Sequence, residues 1–144
     1  MDVHDKLTRS YNMSKIGSKD SKPEMIVRKF LHGHGFRYRL HKKELPGNPD
    51  LVFKKYKTVL FVHGCFWHAH QDCKYFKLPD TRKEWWEVKL RSNKERDIKN
   101  KKALSDQGWS VITVWECELK PGFREERLNQ LISELKRSGR KSVF

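Results

Sequence analysis

The sequence predicts an α/β fold in the order αβββαβα, and three observations predict it. An amphipathic stretch with a helix-start signal comes first, and three short apolar runs joined by turn signals follow it. A long polar helical segment then separates these runs from one further apolar run and a last amphipathic helix.

The elements follow in order. Ser21 and Glu24 in SKPE have capping-box spacing, Pro23 stands in the first turn, and Ile26, Val27, Phe30 and Leu31 give a helical apolar face ahead of Gly33 and Gly35. FRYRLH predicts a short strand. Beyond the turn-rich KKELPGNPD, the runs DLVF and TVLFVH, joined by the basic turn KKYK, predict two more. The polar segment from Thr81 to Gln107 predicts the second helix, with Gly108 as its C-cap. WSVITVW is a continuous β-branched and aromatic run, the pattern of a strand buried on both faces. Leu128, Leu131, Ile132 and Leu135 form the stripe of the final helix.

Composition bounds the function. The 144 residues suit one domain, 1–144, with its own core, and its basic, polar start over residues 1–20 reads as a mobile DNA-binding arm. Lys and Arg number 32 against 18 Asp and Glu, a net charge of +14, which favours a polyanionic partner and above all nucleic acid. No leader-like apolar region opens the chain and no segment approaches the ~20 apolar residues of a membrane span, so a cytoplasmic location is expected. Three cysteines are an odd number, and two of them stand beside histidines. Metal ligation in a reducing compartment fits better than disulfides.

The chemistry concentrates in HGCFWHAHQDC, residues 63–73. Cys65, His70 and Cys73 have the spacing C-x4-H-x2-C, and Cys117 after the last strand would complete a tetrahedral Cys3His zinc site, the alternative being reduced core cysteines. A closed four-ligand site is structural, which leaves His63 and His68 for chemistry. Asp50 opens a strand, where a carboxylate can hold a divalent ion with one side open to substrate, although a turn aspartate has the same sequence signature. In the second helix Trp86, Leu90, Asn93, Asp97 and Leu104 share one face. Asp97 therefore needs a partner, either a histidine oriented for proton transfer or one of the many lysines. Phe66 and Trp67 stand between proposed zinc ligands and Trp85 and Trp86 lie in a polar stretch; rings so placed are either core or wedges that pry apart a base step.

RSYNMSKI, SKDSKPE, GFRYRLH, LPGNPDLVF, FVHGCFWH, NKERD and VITVWECEL stand in an order and spacing that resemble the very short patch repair (Vsr) endonucleases, a family of DNA mismatch nickases. The resemblance implies a restriction-endonuclease-like fold of PD-(D/E)xK ancestry, in which Val62-His63-Gly64 occupies the place of the usual second acid and lysine. It implies a magnesium site at Asp50 and the main-chain carbonyl of Val62, where better-known members have Thr. It gives His68 the role of activating water, Asp97 that of orienting it, His63 that of a phosphate-side helper, and Glu24 that of a nearby acid whose capping role competes. It makes Phe66, Trp67 and Trp86 wedges beside a T:G mismatch, Met13 a wedge from the minor groove, and Lys89 and Asn93 readers of the mispaired bases. The zinc ligands match as well, with one extra residue between His70 and Cys73. The implied activity is a strand-specific nick 5′ to the thymine of a T:G mismatch in double-stranded DNA, arising from deaminated 5-methylcytosine, by a monomer with mismatch-repair proteins as candidate partners. Two alternatives remain: a restriction-associated nickase with relaxed mismatch preference, and a zinc-stabilised DNA-binding module without catalysis.

Overall fold

The structure, a computed structural model, describes residues 21–141. Helix α1 spans Lys22–Gly33, strands β1, β2 and β3 span Arg39–Leu40, Leu51–Phe53 and Thr58–His63, helix α2 spans Lys83–Asp106, strand β4 spans Ser110–Trp115 and helix α3 spans Arg124–Lys141. Single 3-10 turns at Lys54–Tyr56 and Glu116–Leu119 complete the order. The predicted α and β succession is the one observed.

The sheet has the order β1-β2-β3-β4. The first three strands pair antiparallel, with Leu40 opposite Leu51 and Leu51 opposite Leu60, whereas β4 lies parallel to β3 over six residue pairs from Thr58–Ser110 to His63–Trp115. A parallel neighbour demands a long crossover, and α2 supplies it.

Two apolar layers hold the sheet. On one face Leu51, Phe53, Leu60, Ile112 and Val114 pack with Val27 and Leu31 of α1 and Leu128, Leu131 and Leu135 of α3. On the other, Val52 and Val59 pack with Leu104 of α2, beside half-buried Phe61, Trp109 and Val111. The second layer is smaller because α2 is mostly polar, with only Leu90 and Leu104 buried along its 24 residues.

The strand WSVITVW corrects its sequence expectation. Only Ile112 and Val114 are buried; Val111, Thr113 and Trp115 are half-buried. As an edge strand β4 is fully covered on the α1/α3 side alone, and its other side borders an open cleft.

The ends of the helices follow the sequence signals. Ser21 caps α1 by accepting the Glu24 backbone N–H at 3.4 Å, and Pro23 occupies its first turn. α2 stops at Gln107, where Gly108 takes φ +89° and turns the chain into β4. Among the described residues no helix is long and apolar enough to cross a membrane. The expected basic arm over residues 1–20, and Met13 with it, lies outside the described residues.

Candidate active site and metal centres

Everything chemical gathers where β3 ends. Asp50, just before β2, accepts the backbone N–H of Val62 at 2.7 Å. A strand residue's N–H and C=O leave on the same side, so the Val62 carbonyl also turns toward Asp50. The next residue, His63, lies on the opposite side of the strand and stacks flat on His68, with centroids 3.7 Å apart and planes 3° from parallel. Two clusters therefore flank one peptide unit.

In the first cluster Asp50, Glu24 and His41 bring their ligand atoms within 4.8 Å of one another. Glu24 is 2% exposed, and its carboxylate meets His41 Nε2 at 2.9 Å and Arg28 Nη1 at 3.4 Å. Burial pushes the Asp50 carboxyl up to about 7, against the lowering effect of the Val62 N–H and with a further push from Glu24 beside it. Two crowded, desolvated carboxylates next to a main-chain carbonyl are a poor resting arrangement without a cation and a good one with it. The donor set is oxygen-rich, which suits a hard divalent ion such as magnesium.

In the second cluster His68 Nδ1 lies 2.6 Å from Asp97 Oδ2. A carboxylate accepts, so Nδ1 carries a proton and, in the neutral ring, the lone pair is on Nε2. This is the histidine partner that Asp97 requires from its place on the inner face of α2. His63 is 9% exposed, and its Nδ1 has no hydrogen-bond partner among the described residues. Burial, helped by His68, depresses it to about 3, so it stays neutral near pH 7. His63, His68 and Asp97 line one side of a cleft of about 320 Å³ between α2 and the sheet, with Lys94 and Lys101 at its edge and Phe61, Val111 and Trp115 along its floor.

The third cluster holds Cys65, His70, Cys73 and Cys117, whose ligand atoms also lie within 4.8 Å of one another, with Cys117 Sγ 3.5 Å from His70 Nδ1. Tetrahedral zinc with Zn–S near 2.3 Å requires ligand atoms roughly 3.8 Å apart, so three thiols and one imidazole in this spacing fit zinc with a small contraction. Burial pushes Cys65 up to about 12, while at Cys73 backbone N–H groups and the neighbouring thiols outweigh desolvation and lower it. Between His70 and Cys73 the chain turns through Asp72 in a left-handed conformation, φ +56°. His70 is held from behind by Trp115, stacked at 3.9 Å.

The aromatic residues form a surface cluster rather than a core. Phe66, Trp67 and Trp86 are half-buried and lie 5.2 to 5.8 Å from one another by ring centroid. Trp85, 47% exposed, stands at 4.9 Å from Trp86 under the guanidinium of Arg82. Asn93 donates from Nδ2 to the Trp67 carbonyl at 3.1 Å, tying the loop to α2, and Lys89 is exposed on the same helix. The residue that sequence reasoning missed is His41. Its only sequence signal is its place in the β1–β2 hairpin, one step beyond Leu40 and therefore across from Asp50.

The family model described as DNA mismatch endonuclease Vsr matches residues 1–75. The type II nicking enzyme V.NmeAIP of Neisseria meningitidis serogroup A is 49% identical over 136 residues, 94% of this chain and 96% of that protein. The DNA mismatch endonuclease Vsr of Escherichia coli K12 is 44% identical over 133 residues, 92% of this chain and 83% of that protein. The chain belongs to the Vsr family of DNA mismatch endonucleases. The type II nicking enzyme V.XorIIP of Xanthomonas oryzae, 46% identical over 86% of this chain and 91% of that protein, is a further relative. The chain is thus an endonuclease of a DNA-repair family, and the metal-binding geometry described above is in keeping with that class.

Two outcomes are expected. In magnesium-free buffer, Asp50 holds its proton to about pH 7 when folded and to about 3.8 when unfolded, so it makes stability fall as pH rises through that window. His63 titrates near 3 folded and 6.5 unfolded, so it makes stability rise with pH between those values. The two slopes oppose each other. Between pH 4 and 6.5 urea unfolding should therefore show stability rising with pH more steeply in Asp50→Asn than in the native sequence, by up to ~1.4 kcal/mol per unit; identical pH profiles would refute the upward shift of Asp50. Separately, metal analysis should find about one zinc per chain, lost in Cys117→Ala together with a large drop in melting temperature, because a structural site adds its binding free energy to folding. A folded, active sample free of zinc would remove the ligand set.

Proposed function

We propose that this protein is a magnesium-dependent endonuclease that nicks one strand of duplex DNA 5′ to the thymine of a T:G mismatch, the product of 5-methylcytosine deamination. In this reading the fold is a restriction-endonuclease-like one, with histidine chemistry in place of the second acid and the lysine. The observation that carries it is the His68–Asp97 pair, 2.6 Å between Nδ1 and Oδ2, stacked through His63 on the strand whose preceding peptide Asp50 holds.

Asp50, the Val62 carbonyl and Glu24 are the groups that would hold magnesium. When bound, such an ion neutralises charge on the scissile phosphate and acidifies a coordinated water. His68 takes the proton of the attacking water at Nε2, and Asp97 stabilises the imidazolium that results while fixing its tautomer. His63, neutral and stacked on His68, keeps that ring from turning and offers an N–H toward a phosphate oxygen. Water attacks phosphorus in line with the bond to the 3′ oxygen, which breaks; the departing oxygen takes a proton from solvent, leaving a 3′ hydroxyl and a 5′ phosphate.

Substrate choice rests on the aromatic cluster. Phe66 and Trp67 are half-buried rings on a loop pinned by the proposed zinc ligands Cys65 and His70, and Trp86 is a half-buried ring in the first turn of α2, so all three enter a base step at little cost in conformational freedom. A mismatched step unstacks more easily than a paired one, which makes deformability part of recognition. Lys89 and Asn93 follow Trp86 by three and seven residues on the same helix, within reach of the mispaired bases, and Met13 enters from the minor-groove side. The net charge of +14 supplies the phosphate contacts. A second reading draws on the relatives that carry the name type II nicking enzyme: a nickase accompanying a restriction–modification system, with a looser preference for T:G.

A strand-resolved nicking assay on duplexes that differ only in T:G versus C:G separates these readings. Fast cleavage of the thymine strand in T:G alone is expected; comparable rates on both duplexes would favour the second reading, and no cleavage of either would leave a binding module. Asp50→Ala should abolish nicking while DNA affinity stays within a few-fold, because affinity rests on Lys and Arg. Near-native activity in that variant would take Asp50 out of the mechanism.

Replacing Phe66 and Trp67 together with Ala should damage T:G discrimination more than folding, since half-exposed wedges lose DNA contacts that offset unstacking. Had they been core, each truncation would cost roughly 3–5 kcal/mol. Thermal melting and nicking measured on one preparation tell the two apart, and a collapsed melting temperature would return both rings to the core.

A further inference from the structure

His41 belongs to none of the roles assigned above, yet it touches both acids of the proposed magnesium site. Its side chain reaches Glu24, with Nε2 at 2.9 Å from Oε2, and its backbone N–H donates to the Asp50 carbonyl at 3.2 Å. Glu24 comes from α1 and Asp50 from the start of β2, two elements with no direct covalent or ladder connection. Once both groups are ionised, as holding a cation requires, the two carboxylates repel each other, and a contact that fixes their relative position then matters.

The surrounding contacts narrow the choice. Arg28 also meets Glu24, at 3.4 Å, but it lies one turn further along the same helix and moves with it. His41 is a contact from outside the helix and links α1 to the β1–β2 hairpin. Its backbone is bent to make that link, with φ at +45°, in the left-handed region that side chains other than Asn, Asp and His rarely enter. The bend ends β1 directly after Leu40, which the ladder pairs with Leu51, and so brings His41 level with Asp50. An unfavourable conformation kept at such a point is the kind of strain that structures retain for function.

We propose that His41 is a positioning residue of the magnesium site, clamping Glu24 from the side chain and Asp50 from the main chain so that both carboxylates face one cation. The inference rests on the reading that Asp50 and Glu24 hold the ion. The imidazole donates Nε2–H to Glu24 Oε2 and so fixes the orientation of that carboxylate. Hydrogen bonds of this kind to a ligating carboxylate typically change metal affinity by 10–100-fold.

The test uses the full-length protein. Free manganese is followed by its EPR signal during titration, with magnesium as competitor, for the native sequence, His41→Asn, His41→Gln and Asp50→Ala. Asn tolerates the left-handed turn but ends short of Glu24, whereas Gln carries an N–H of similar reach. His41→Asn should weaken both ions by about 10–100-fold and by the same factor, and His41→Gln should recover most of the loss. In nicking assays, His41→Asn should raise the magnesium concentration for half-maximal rate while the rate at saturating magnesium approaches the native one. A thermal melt on each variant accompanies the titration, and an Asn variant that fails to fold is replaced by His41→Ala. Unchanged affinity in the non-reaching variant, with Asp50→Ala still losing the ion, overturns the clamp alone. A Gln variant as weak as Asn, with the manganese-to-magnesium preference altered, also overturns it, because the imidazole would then be a ligand. Unchanged affinity in Asp50→Ala overturns the metal site itself and the clamp with it.

Discussion

The parallel pairing of β3 with β4 is the constraint on which the rest depends. Its register sets His63 level with Trp115, so both strands end at the same height and release their following segments side by side. Cys65 stands two residues past His63 and Cys117 two residues past Trp115, which brings two thiols 52 residues apart in sequence to one point. An antiparallel pair would send the two exits to opposite ends of the strands. The same pairing obliges the chain to cross over through α2, and the crossover carries Asp97 back across the histidines.

Polarity is divided between the two faces of the sheet accordingly. The face against α1 and α3 is a dense apolar layer that supplies most of the burial, and its leucines and valines have little room to change. The face under α2 has a small core at Val52, Val59 and Leu104 and is otherwise given over to the cleft and its titratable groups. The α1/α3 side thus carries most of the apolar burial and, at its margin, the Glu24–His41–Asp50 cluster, while the α2 side carries the cleft and the histidines. Arg127 shows what happens where they meet: nearly buried on α3, it is held by Glu118 and Glu134 at 3.1 Å each and donates to the Thr113 carbonyl of β4.

Much of this was legible in the residues, for reasons that differ from place to place. The inner face of α2 could be read from periodicity because Trp86, Leu90, Asn93, Asp97 and Leu104 keep helical spacing regardless of what they meet. The thiols and imidazole of the third cluster could be read because a dense run of Cys and His has few other uses, and the exit of WSVITVW supplied the fourth ligand. The half-open state of β4 could not be read, since a run of β-branched and aromatic residues looks the same whether one face or two are covered. That difference depends on how far a polar helix extends over the sheet, which is a tertiary fact. His41 was hidden for another reason: its partners lie 17 residues before it and on the far strand of a hairpin whose register only the fold fixes.

Trp115 has a consequence that reaches past its own contacts. Its ring is stacked on His70 and stands edge-on to His63 at 5.2 Å and to His68 at 6.4 Å. One rigid indole thus serves as the common wall of a cysteine-rich centre and a proton-handling centre. A substitution at either centre that tilts the indole therefore moves a packing surface of the other.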